Sequence, residues 1–579
     1  MKKSILSLSA AVALGGLGYV GAANAVIALG QAGVTSPTAN HVFSNPGGVG
    51  HALITPYYTA QGVMSTAFNI TNTDTKNGKV VKVRFRGASN SDDVKDFTVF
   101  LSPGDVWTAS IVQNVSTGKA QISTTDKSCT FPTQSSGQWP SDFSTDRFSV
   151  QLTGAQMAAL TREGYIEVLN MANVPPTIAG TKDGYGNPLV NPLWAATKHV
   201  SGVAPCTPSV ISGLMGSSTA DIVSTASGAL AYGLDSPTGG LMGAWAVFNT
   251  DQLAVYGGAQ SAILASAESA LGHNGSASTA PALINFAPQT QTPLDGVFLS
   301  SSDVGNYTSD VLLLAGAVGL PPLIAPGNVG VRPVMWDLPD LSTPMVAGDS
   351  PVDQAAKLGI AFEKEVVLND YVAAAADANT VSWMTDWVVA QPTRRYHAAV
   401  LYDVINPGSN ILGLLVDGAF LINTDELSGG NAGDPYRPYY QQLRLKHTAY
   451  GPMACMDGSF SAFDREEGTF QGQAFSPGTI GQYCGEVFTL QFGTSSVLQA
   501  GLTGKSVNAI LPGPAGWARL ALGTPNPNVT VPPSFRSGWQ TAIPAIGFAA
   551  TSIKAGNGNY GLTVPHRWTG PARFWQDNL

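Results

Sequence analysis

Charged side chains are scarce in this chain: Asp, Glu, Lys and Arg make up 12% of its 579 residues, about half of the roughly 25% usual in soluble proteins. No basic block relieves that scarcity. Residues 79–86 and Arg394-Arg395 are short basic runs, whereas a polyanion binder needs clustered Lys and Arg against the phosphates. Nucleic acid is therefore not an expected partner, and both runs read as strand faces or salt-bridge partners. Local catalytic signatures are lacking as well: there is no G-x-S-x-G elbow, no H-E-x-x-H, no P-loop and no G-x-G-x-x-G opening a helix. The seven His stand at 41, 51, 199, 273, 397, 447 and 566, too far apart for local metal-ligand spacing. Scattered residues can converge in a fold, as triads do, but no enzymatic activity is expected. No repeat of roughly 20–50 residues is present, so solenoids and propellers are not supported.

Long apolar runs are few. Residues 5–20 follow Met1-Lys2-Lys3 and lead to Ala23-Asn24-Ala25, the pattern of a secretory leader cleaved after Ala25. The run is short for the roughly 20 residues a membrane span needs. Residues 311–331 carry no charge, but Pro321-Pro322 and Pro326 break any helix there; a buried strand and an irregular loop are expected. The chain is thus read as secreted and not membrane-spanning. Loss of Lys2 and Lys3 takes the formal charge from −9 to −11.

What is present points to β-structure. The 65 Gly and 38 Pro amount to roughly 18% of the chain, below the range of low-complexity segments, and 11 Trp argue against disorder. Val81, Val83 and Phe85 alternate with Lys82, Arg84 and Arg86, the period of a half-buried strand. Further strands are expected at 64–71, 96–101, 106–112, 165–170, 245–249, 397–404, 411–416, 487–492 and 518–522. Ser102-Pro103-Gly104-Asp105 reads as a turn, with Pro presetting φ and Gly supplying positive φ. Helices are few: Thr153 is placed to cap a short one, and 351–376 is the best long one, although Gly359 weakens it. The fold class expected is mainly β, a multidomain assembly of Ig-like β-sandwich modules with long loops and few helices. The domains are drawn as an N-terminal sandwich at 26–215, a middle domain with loops and one helix at 216–390, and a β-rich C-terminal domain at 391–579.

Four cysteines in an exported chain favour disulfides. The long gap between Cys206 and Cys455 favours Cys129–Cys206 and Cys455–Cys484 over the other two connectivities. Asn90-Ser91-Asp92-Asp93, with Asp96 close behind, is the densest cluster of oxygen ligands. Asp92, Asp93 and Asp96 could serve calcium, which takes six to eight oxygens, or could belong to a solvated, Asx-capped turn. The acidic stretch around Asp464 reads as surface, and the Gly-rich segment 429–434 as a loop. Trp383 and Trp387 are read as core, with a carbohydrate platform as the alternative.

Ile54-Thr55-Pro56-Tyr57-Tyr58, Asn72-Thr73-Asp74, Asn77-Gly78-Lys79, the run from Val83 to Asp93 and the run from Phe100 to Trp107 form a specific N-terminal block. Residues 243–251, 391–396 and 564–568 support it. Together they resemble the large secreted cell-surface proteins of Gram-negative β-proteobacteria, including surface-layer proteins that also coat nanopods, tubes enclosing outer-membrane vesicles. The resemblance implies a self-assembling lattice without catalytic residues, whose partner is another copy of itself. Attachment would be to outer-membrane surface polysaccharide such as lipopolysaccharide. An outer-membrane porin and a secreted carbohydrate-binding protein or adhesin are the alternatives. A porin would need tilted strands of about 9–11 residues, and the strands here read shorter.

Overall fold

The computed structural model describes residues 39, 41–132, 139–149, 151–215, 226–271, 277–279, 351–373, 381–402, 419–423, 443–466, 468, 479–522, 543–555 and 558–569. The leader at 1–25, the apolar segment 311–331, the strand expected at 411–416 and the loop 429–434 lie outside the described residues.

The described residues are mainly β and form two sandwiches of predominantly antiparallel sheets. Strands are numbered in chain order. In the first sandwich one sheet runs β1 (His41–Asn45), β16 (Ser261–Leu271), β2 (Ala52–Thr59), β10 (Glu163–Val174), β4 (Gly78–Gly87), β5 (Asp93–Leu101) and β8 (Cys129–Phe131), with β17 (Ala277–Thr279) beside β16. The opposing sheet runs β15 (Ala254–Ala259), β14 (Ala244–Asn249), β3 (Met64–Asn72), β6 (Val106–Gln113), β7 (Ala120–Ser123) and β9 (Ser141–Asp142), with β13 (Leu241–Met242) beside β3. In the second sandwich β23 (Arg444–Thr448), β24 (Gly451–Asp464), β28 (Ala515–Leu522), β19 (Val366–Val372) and β32 (Arg567–Thr569) form one sheet, with β25 (Thr479–Cys484) beside β24. The other runs β27 (Gly504–Ser506), β26 (Val487–Gln491), β20 (Val381–Ala390), β30 (Ile546–Ala555) and β31 (Gly558–Pro565). Among the described residues three short pairs complete the strands: β11 (Thr177–Lys182) with β12 (Pro188–Val190), β18 (Glu363–Lys364) with β29 (Ile543–Pro544), and β21 (Ala398–Leu401) with β22 (Phe420–Asn423).

The alternation in β4 explains the first core. Val81, Val83 and Phe85 point between the sheets and are fully buried. The Phe85 ring meets Tyr58 edge-on at 5.6 Å, Phe68 at 5.8 Å and Phe143 at 4.8 Å. Such ring pairs contribute about 0.5–1.5 kcal/mol each beyond the area they bury. The second core gathers around Phe492, stacked on Tyr371 at 5.0 Å and tilted against Trp387 at 5.0 Å. The expected turn forms, with Gly104 at φ +71°. At Gly164 the β10 and β4 backbones approach so closely that a Cβ would lie 1.9 Å from the Arg86 carbonyl oxygen.

Four expectations need correction. The strand at 79–86 is not half-buried: Lys82, Arg84 and Arg86 are at most 1% exposed, because the second face of its sheet is also covered. At one end Val80, Phe100 and Met171 pack under helices α2 (Pro192–Thr197), α3 (Pro208–Met215) and α4 (Ala226–Ala231), through Leu193, Ile211 and Ala229. At the other end lies the second sandwich. The long helix, α5 (Pro351–Phe362), stops at Phe362, and the chain turns into β18 and β19, where Val366 and Val367 favour a pleated strand over another helical turn. The strand expected at 397–404 is shorter than drawn, with β21 covering Ala398–Leu401 directly after a 3-10 turn at Arg394–Tyr396. The boundaries drawn at 215 and 390 cut through sheets: β13 to β16 complete the first sandwich by pairing with β3, β2 and β1, and β19 and β20 are strands of the second.

Helix α1 (Gly154–Leu160) has the expected cap at Thr153: its Oγ1 accepts from Gln156 N at 3.3 Å, and Gln156 Oε1 accepts from Thr153 N at 2.9 Å. Both expected disulfides form, Cys129–Cys206 and Cys455–Cys484. They fit an oxidising, extracytoplasmic compartment. Among the described residues no helix is long and apolar enough to cross a membrane.

Candidate functional site

The acidic cluster and the basic strand meet at the junction of the two sandwiches. In the β4–β10 and β4–β5 registers, Arg84 lies directly between Glu167 and Asp96. A register shift between Phe85 and Arg86 then puts Asp93 opposite Arg86. This bulge brings Asp93 and Asp96, three residues apart, onto the same arginine-bearing face. Arg86 Nε lies 3.3 Å from Glu167 Oε2, and its guanidinium 3.6 Å from Asp93 Oδ2. The second half supplies Arg395, 3.7 Å from Glu167 Oε2, and Arg394, 3.5 Å from Glu486 Oε1. All of these side chains are at most 4% exposed.

The 89–93 loop reaches across the junction. Ser91, at φ +62°, donates to Glu486 and sits 2.8 Å from the Tyr165 hydroxyl. Burial, and then Glu486 and Glu167, hold the Tyr165 phenol well above its ordinary pKa, so it stays a neutral donor. Asp92 Oδ2 accepts from the Tyr402 hydroxyl at 3.0 Å. Asn90 Nδ2 donates to Tyr402 at 2.8 Å and to the Pro452 carbonyl at 2.9 Å, and Ala454 N donates back to Asn90 Oδ1 at 3.0 Å.

The loop is therefore buried and not a solvated turn. Of the three residues considered for calcium, Asp92 meets the Tyr402 hydroxyl, Asp93 meets Arg86, and Asp96 lies opposite Arg84 in the β4–β5 register. Among the described residues no group of three or more His, Cys, Asp and Glu side chains is arranged to hold a metal ion.

A second clamp, not anticipated from the sequence, centres on Glu163 at the start of β10. Its carboxylate accepts from Tyr57 at 2.7 Å and Gln61 at 3.1 Å in its own sandwich. From the second sandwich it accepts the Gly501 and Leu502 amides at 3.2 and 2.7 Å and the Thr503 hydroxyl at 2.8 Å. The same 496–503 loop is held from behind by Asp386, whose Oδ2 accepts from Ser496 Oγ at 2.6 Å and Leu498 N at 3.0 Å. Burial pushes Asp386 up to about 7, against the lowering effect of these hydrogen bonds.

One surface cluster has the residue types of a hydrolase. Ser102, Asp105 and His199 line an open depression with Asp126, Lys127 and Gly202. Ser102 Oγ at 2.7 Å and Asp105 Oδ2 at 3.3 Å both meet the same ring nitrogen, His199 Nδ1. A triad needs the serine and the acid on opposite nitrogens. Asp105 also accepts from Ser102 N at 3.0 Å and Ser128 Oγ at 3.1 Å, so it organises the turn.

The aromatic residues divide. Trp387 is fully buried, as expected of core, whereas Trp383 is 39% exposed. Trp517 is 41% exposed and stacks on Phe463 at 4.3 Å, and Trp568 is half-exposed under Lys364 Nζ at 3.9 Å. No known protein family, curated protein or solved structure matches this chain.

Proposed function

We propose that this is an exported structural protein that assembles with copies of itself into a lattice on the outer surface of a Gram-negative cell, or on tubes that enclose vesicles. Surface polysaccharide such as lipopolysaccharide holds it there. The observation that carries the reading is the junction: two sandwiches clamped by buried arginine–carboxylate pairs and by Glu163. A head-to-tail contact propagates into an array only if every copy presents the same geometry, and a rigid junction supports that. The low charge content supports it further, because interface cores are depleted in charge. With −11 on the mature chain, divalent cations such as calcium bridge acidic surfaces of neighbouring copies.

A second reading, carbohydrate binding, is favoured by the exposed Trp517 stacked on Phe463. The test is to concentrate the purified mature chain with calcium and follow it by light scattering and negative-stain microscopy. Ordered sheets that disperse on chelation support assembly. A chain that stays monomeric at high concentration contradicts it, and sugar binding by that monomer favours the second reading.

A further inference from the structure

Lys79 and Asn173 are directly paired across β4 and β10, and both side chains are buried, at 0% and 4% exposure. Lys79 Nζ lies 2.9 Å from Asn173 Oδ1. Asn170 Nδ2 approaches the same oxygen at 3.4 Å, so the Asn173 carbonyl is polarised by two donors. The Asn173 amide nitrogen donates to Thr238 Oγ1 at 2.9 Å, and that hydroxyl is 3.4 Å from Lys79 Nζ. Thr238 thus touches both an amine and the nitrogen that would depart if the amine attacked. The segment carrying it is pinned to β10 by reciprocal backbone bonds between Asn173 and Asp235, each 2.9 Å, and by Asn170 Nδ2 to the Thr238 carbonyl at 2.9 Å.

We propose that the chain joins Lys79 to Asn173 by a spontaneous isopeptide bond. The neutral amine swings from the oxygen of the Asn173 carbonyl onto its carbon, and the Nζ lone pair forms the bond to Cγ. The Cγ–Nδ2 bond breaks, and the proton lost by Nζ passes through the Thr238 hydroxyl to the departing nitrogen. One ammonia leaves and no oxidant or cofactor enters. The amine is available for this: burial lowers Lys79 to about 8, although the nearby Asp74 carboxylate opposes the shift. Asp74 itself is held in its turn by Lys76 N, Asn77 N and Asn77 Nδ2. The product would cross-link two adjacent strands, beyond the reach of reductants that open the two disulfides. The inference stands on these contacts alone and does not depend on the assembly reading.

The intact mass of the purified mature chain, with its N-terminus determined and both disulfides counted, is expected to fall one ammonia below the sequence mass. After reduction and trypsin, residues 77–82 and 163–182 are expected as one branched peptide joined through Lys79 and Asn173. Lys79→Arg should restore the full mass, and Thr238→Val should slow bond formation in a pulse-labelled sample. A wild-type chain at full mass, whose unfolded form yields the two peptides separately and labels Lys79 with an amine reagent, would overturn the proposal without recourse to any variant.

Discussion

Single buried carboxylates at the junction set what titration and substitution should do. Asp386 keeps its proton to about pH 7 in the folded chain, while in the unfolded chain it ionises near 4. Between these values the unfolded state releases a proton that the folded state retains, so stability falls as pH rises, by about 1.4 kcal/mol per unit at most. Asp386→Asn removes this slope. Urea titrations of both chains should show the wild type gaining about 2 kcal/mol relative to the variant on going from pH 7 to pH 5; parallel curves would contradict the burial argument. Glu163→Ala leaves a phenol, an amide, a threonine hydroxyl and two backbone N–H groups without their acceptor and should cost about 3–5 kcal/mol, read from the same titrations. At this scale the sequence was half legible. The alternation in residues 79–86 revealed both faces of β4, but the partners of its basic face and of the loop after it are distant: Glu167 is 81 residues from Arg86, and Glu486 is 395 from Ser91. An isolated Glu carries no sign of which distant cation it will meet.

Elements were most legible where local chemistry decides them. The capping residues at Thr153 and Gln156, the Pro-Gly turn before β6 and the alternating strands β3, β4 and β6 all follow from short-range preferences. Thr153→Ala should lower stability by about 1 kcal/mol, and a neutral result in thermal denaturation would show that the cap is redundant. The end of α5 was not legible, because good helix formers continue beyond Phe362 while β19 is drawn into a sheet with β28 and β32 from the far end of the chain. The β5 bulge was equally hidden; it shows only in the register against β4. The disulfides differ in the loops they close, with separations of 77 and 29 residues. In the chain-entropy account, loss of Cys129–Cys206 should cost about 4–5 kcal/mol and loss of Cys455–Cys484 about 3–4, so paired Cys→Ala variants should melt in that order below the wild type.

For the whole molecule, residues of both halves share one buried cluster, with Val388, Ala390, Met453, Val487 and Phe548 packed together with Tyr57, Phe85 and Ile166. The Trp245 and Phe548 rings meet across the junction at 4.5 Å. Calorimetry should therefore show a single transition for both sandwiches. Arg395→Ala, which strips one guanidinium from Glu167, should separate it into two, whereas an unchanged single peak would assign the junction to apolar packing. The domain count was hard to read because strands from 241–271 return to pair with strands between residues 41 and 72. Sequence order hides such closure.

The most direct test of the surface-array reading is electron cryotomography of intact producing cells beside a strain lacking this gene. The account predicts a periodic coat on the outer membrane or on vesicle-enclosing tubes, lost with the gene and dispersed by chelator. Bare envelopes on cells that make the protein, or a coat that persists without it, would contradict the account.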